Sequence, residues 1–101
     1  MPQFAGSDRI QSARVTATGT VLATSTGRMR SVYVRHTATA GDLEFRDGGA
    51  GGTLICTLYT PAVAGQRTFE IPGAGIAFGT DLHVTFSAGG PNAVTTFYAV
   101  D

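Results

Sequence analysis

The side chains able to do chemistry in this sequence are few and scattered. His36 and His83 stand far apart. A catalytic metal normally takes three protein ligands, so the pair would need a carboxylate such as Asp42 or Asp81 to complete a site. Cys56 is alone, which excludes an intrachain disulfide and a thiolate metal centre. It alternates with Leu54 and Leu58, where a thiol acts as a small buried hydrophobe whose pKa rises. Ser7, Ser12, Ser25, Ser31 and Ser87 lack the Gly-x-Ser-x-Gly elbow of a hydrolase. Asp42, Glu44, Asp47 and Asp81 sit at turns or alternate outward, as carboxylates that are solvated or paired with Arg35 and Arg46. The stretch Asp47-Gly48-Gly49-Ala50-Gly51-Gly52-Thr53 is no phosphate-binding loop, because the chain has no lysine and a strand pattern follows the glycines. These residues predict no catalytic centre, no cofactor and no metal, and therefore not an enzyme.

Binding surfaces remain. All seven basic residues are arginines, whose planar donor fork suits fixed contacts at interfaces. Acidic and basic residues cancel, which gives none of the positive surface a nucleic-acid partner selects. Charged residues make up 14% of the chain, against roughly 25% in a typical soluble domain, and that leaves more neutral surface for subunit contact. Candidate interface residues are Phe4, Ile10, Arg28, Arg30, Tyr33 and Tyr59. The aromatics Tyr33, Tyr59, Tyr98 and Phe97 form a possible patch for a subunit or a sugar, and the absence of tryptophan weighs against the sugar. No run approaches the roughly 20 apolar residues of a membrane span. The start Met1-Pro2-Gln3-Phe4 lacks the charged-then-apolar pattern of a signal peptide, so synthesis and first residence in a cytoplasm are expected.

The elements that must position these residues follow a period of two. Val32 and Val34 alternate with Tyr33 and Arg35, Leu43 and Phe45 with Glu44 and Arg46, and Leu82, Val84 and Phe86 with His83 and Thr85. Leu54, Cys56 and Leu58 share one face; Val94, Thr96 and Tyr98 lie opposite Thr95, Phe97 and Ala99. Glycine- and proline-rich turns interrupt each run, and 15 threonines favour pleated backbone. The pattern predicts strands near 12–17, 19–24, 28–37, 42–46, 53–60, 67–72, 75–78, 81–87 and 93–99. Eight or nine short antiparallel strands predict an all-β sandwich, jelly-roll-like, over residues 12–101. Residues 1–11 show no alternation and read as an N-terminal arm whose Phe4 and Ile10 dock on a neighbouring subunit.

The order Val32-Tyr33-Val34-Arg35, then Thr39-Ala40-Gly41-Asp42-Leu43-Glu44-Phe45-Arg46-Asp47-Gly48-Gly49, resembles small virion proteins of tailed phages. The likeness continues through Leu54–Ala62, Phe69–Phe78, Asp81–Phe86 and Val94–Tyr98, spanning about residues 20 to 99. Its elements are strand and turn positions, so no functional residue is transferred. The resemblance implies a capsid decoration, or cement, protein: a β-rich knob, commonly a homotrimer, seated on the major capsid protein where capsomers meet. The location implied is the virion surface, after synthesis in the bacterial host cytoplasm. A tail or fibre component with a receptor-binding β-module, and a head–tail connector ring, are the alternatives.

Overall fold

In the computed structural model, residues 10–87 and 89–100 are described. The alternating runs form nine strands: β1 (Gln11–Val15), β2 (Gly19–Leu22), β3 (Gly27–His36), β4 (Gly41–Asp47), β5 (Thr53–Thr60), β6 (Gly65–Glu70), β7 (Ile76–Phe78), β8 (Leu82–Phe86) and β9 (Pro91–Val100). Every strand expected from the sequence has its counterpart, with ends displaced by at most two residues. Gln11 belongs to β1 and so leaves the predicted arm. Residues 1–9, Phe4 among them, lie outside the described residues.

Four antiparallel pairs nest along the chain: β1 with β9, β2 with β8, β3 with β6, and β4 with β5. This ribbon folds over on itself, which sets β9 beside β3 and β8 beside β4. The result is the jelly roll that the strand spacing predicted. Sheet A runs β1-β9-β3-β6, with the short β7 pairing the start of β3, and sheet B runs β2-β8-β4-β5.

The inner faces close a core between the sheets. Sheet A supplies Met29, Val32, Val34, Val94 and Thr96; sheet B supplies Leu43, Phe45, Leu82 and Val84; Phe78 comes from β7. Removing each large apolar side chain from water contributes about 1.5–3 kcal/mol. Tyr98 is buried with this set and does not join a surface aromatic patch.

One sequence expectation fails at β5. Cys56 faces Phe45, yet the next pair is Leu54 with Arg46, so Ile55 is an extra residue in the ladder. A bulge re-phases the alternation beyond it. Leu54, expected inward beside Cys56 and Leu58, therefore turns out to solvent at 48% exposure, and Ile55 packs against the core instead.

The glycine-rich β4–β5 connection is pinned. Asp81 Oδ1 accepts the N–H groups of Gly48 at 2.8 Å and Gly49 at 2.9 Å. In return Asp47 accepts from Gly79 at 2.8 Å, Thr80 at 2.9 Å and Asp81 at 3.2 Å. Gly48 and Gly49 take φ of 104° and 84°, which L side chains rarely adopt, and this presents their N–H groups to Asp81. Asp47 and Asp81 are thus loop clamps rather than the solvated or Arg-paired carboxylates expected. Glu44 does pair as expected, with Arg46 at 2.9 Å.

Candidate functional site

The outer face of sheet A gathers most of the exposed chemistry, and the register shows how. Ser12, Phe97, Ser31 and Glu70 form one cross-strand row; Arg14, Thr95, Tyr33 and Thr68 form the next. A second bulge interrupts β3 here. Met29 faces Tyr98 and Ser31 faces Phe97, so Arg30 is the extra residue. On the other edge of β3 the Arg30 carbonyl accepts the Ile71 N–H at 3.2 Å, which extends the β3–β6 register by one pair and holds the end of β6 and the following turn beside the bulge. Gly75 makes the approach possible: its φ is +93°, and a Cβ there would stand 2.4 Å from the Met29 carbonyl oxygen.

Bulge and turn wall an open groove of about 590 Å³. Ile10 and Phe97 supply apolar surface, Tyr33 an aromatic ring, and Arg30 and Glu70 opposite charges at the rim. The Tyr33 hydroxyl donates to Gln66 Oε1, which fixes the ring on the sheet face. Among the described residues no ion pair joins Arg30 to Glu70. Such a surface can bind a partner through apolar, aromatic and charged groups side by side.

Three of the six candidate interface residues meet at this groove: Ile10, Arg30 and Tyr33. Arg28 is exposed on the same strand, opposite Ala99 and Ala77, and lies outside the groove lining. Tyr59 belongs to sheet B, on β5, and is 68% exposed there. Phe4 lies outside the described residues. The four aromatics considered as one patch are therefore divided: Tyr33 and Phe97 share the groove, Tyr98 is in the core, and Tyr59 is on the other sheet. Glu70, Thr68 and Ile71 were not singled out from sequence. The alternation of Thr68 and Glu70 around Phe69 held their outward direction, but not their alignment with Tyr33 and Ser31 across the strands.

The histidines lie in different sheets, His36 at the end of β3 and His83 in β8. Among the described residues no three His, Cys, Asp or Glu side chains stand together as a metal site would require. His83, expected on a wet face, does point outward between Thr20 and Arg46 by register, yet it is 8% exposed. Arg35, His36, Gln66 and Asn92 line a second open groove of about 550 Å³ at the end of sheet A. Cys56 is half-buried, and burial pushes its thiol pKa up, away from reactivity. Compared with protein-family models, with curated proteins and with solved structures, the chain matches none.

Proposed function

We propose that this chain is a structural protein of a tailed-phage virion, one that decorates the capsid by binding between capsomers of the major capsid protein. The reading is carried by the run of strand and turn residues from 20 to 99 that resembles small virion proteins. The groove on sheet A supports it with a surface of the right chemistry. Ile10, Phe97 and Tyr33 offer apolar and aromatic anchors, and Arg30 with Glu70 supplies a polar rim. Binding at many equivalent lattice positions needs no single tight contact, because linked copies act at high effective concentration.

Quantitative mass spectrometry of purified virions tests the reading. A copy number in step with the capsomers is the expected result. Absence from the particle, or the few copies of a vertex complex, overturns it. A tail-fibre module is the second reading, favoured by the juxtaposition of Tyr33 and Phe97 with Glu70 and Thr68, a pairing of rings and polar groups that also suits sugars. Glycan-array binding lost in Tyr33→Ala, together with a tail location, would establish that reading in place of the first.

A further inference from the structure

Besides the three-residue β7, the jelly roll leaves four strand edges among the described residues, and they are guarded unequally. β1 carries Arg14, and β6 carries Arg67 and Glu70, with the Arg67 guanidinium 5.8 Å from the Phe69 ring centroid and covering it. β2 is four residues long and irregular between Thr20 and Leu22. Charge, shortness and irregularity are the usual protections against edge-to-edge pairing. β5 differs: its eight residues, Thr-Leu-Ile-Cys-Thr-Leu-Tyr-Thr, include no charge, no proline and no glycine. Among the described residues β5 pairs with β4 alone.

Exposed apolar surface collects at the same place. Of the four large apolar side chains standing exposed among the described residues, Leu54, Tyr59 and Val63 lie on β5 or just after it, at 48%, 68% and 64% exposure. On the inner side Ile55, Cys56 and Leu58 pack against the core but stay only partly covered. Among the described residues the core is incompletely covered along this edge.

We propose that β5 pairs antiparallel with β5 of a second copy about a two-fold axis at Thr57, joining the two B sheets into one continuous sheet. The bulge makes the strand self-complementary. With Thr57 opposite Thr57, Cys56 meets Leu58 on the inner face. Passing over the extra residue Ile55, Leu54 then meets Tyr59 on the outer face, and Thr53 meets Thr60. Side chains directly opposite in a ladder must share a face. Leu54 and Tyr59 meet that condition because the bulge turns Leu54 outward, opposite Arg46, while Tyr59 already faces out opposite Asp42. No charge meets its own copy across the axis, and Leu58 of one copy covers the half-open Cys56 of the other. The contact is isologous, so it closes as a dimer, in place of the trimer that the phage resemblance implies. It stands on the strand itself and not on the virion reading.

Light scattering across a concentration series, with Thr57→Lys and Thr57→Cys variants, tests the proposal. The wild type is expected to approach twice the chain mass of 10.4 kDa. Thr57→Lys places like charges directly opposite and should return the mass to one chain, with an unchanged circular dichroism spectrum as the folding control. In a Cys56→Ala background, Thr57→Cys should form an intermolecular disulfide on mild oxidation. Opposed ladder positions hold their Cα atoms about 4.5–5.5 Å apart, within disulfide reach. Thr68→Cys on the guarded β6 edge, in the same background, should not crosslink. A single-chain mass at every concentration, a three-chain mass, or a dimer indifferent to Thr57→Lys overturns the proposal.

Discussion

Thr96 sits at zero exposure in the middle of sheet A, between Ala13 and Val32 across the ladder, and its hydroxyl has no hydrogen-bond partner among the described residues. A buried polar atom left unpaired costs about 1–3 kcal/mol, while its methyl group packs as valine's would. Thr96→Val keeps the shape and the β-branch and removes the unpaired oxygen. The expected outcome is stabilisation by about 1 kcal/mol, a Tm rise of about 4–8 °C in thermal unfolding. A fall in Tm would mean that the hydroxyl has a partner, such as an ordered water. The two histidines pose a related problem: His36 and His83 are buried, and Nδ1 of each has no partner among the described residues. Both imidazoles sit at strand positions where the sequence pattern gave no sign of burial. His83 alternates as a solvent-facing residue should, and the neighbouring strands cover it all the same.

Between elements, the reciprocal clamp of Asp47 and Asp81 ties the β4–β5 hairpin to the β7–β8 connection. The N–H groups of Gly79 and Thr80 hold the Asp47 carboxyl below its ordinary value of 3.8; slight burial opposes this, and the Asp81 N–H adds to the lowering. A carboxylate whose folded pKa is depressed gives stability that is fully present above its unfolded pKa and is lost as pH falls through the folded one. Asp47→Asn is therefore expected to lower Tm at pH 7, with the gap to wild type narrowing once the pH drops below about 4. Differential scanning calorimetry at both pH values checks it; a gap independent of pH would mean that the charge plays no part. This clamp shows where the sequence was legible and where it was not. The nine strands could be read because alternation is local. The clamp could not, because Asp47 and the loop whose N–H groups it accepts meet across 32–34 positions of chain. Asp47-Gly48-Gly49 and Thr80-Asp81 carried turn chemistry, which marks a bend without naming its partner. The bulges at Arg30 and Ile55 were hidden for a similar reason. A single extra residue is invisible until the opposing strand fixes the register, and each one redirects a side chain of the candidate surfaces.

At the scale of the whole molecule, the nested ribbon makes the end of the chain central to the fold. β9 is the last strand in sequence, yet it lies between β1 and β3 and brings Val94, Thr96 and Tyr98 into the core. Without it β1 has no partner in sheet A among the described residues, and β3 loses pairing along nearly its whole length on one edge, keeping β6 and β7 on the other. The inner face of β3, with Met29, Val32 and Val34 at zero exposure, would lose its cover on one side. An edge strand can be trimmed at modest cost; a central one cannot, because the loss of paired backbone and of packed side chains falls on the same residues. A chain ending at Gly90 is therefore expected to show no cooperative thermal transition and no native-like amide protection in hydrogen exchange. Removing residues 2–9, which precede β1, should by contrast leave the unfolding transition in place. If the Gly90 truncation retained a cooperative transition, sheet B with β3, β6 and β7 would be a self-sufficient unit, and β9 would be an addition to a smaller core. The shared position of β9 between both halves of sheet A argues for one unit, in which folding is completed by the last ten described residues rather than by the first.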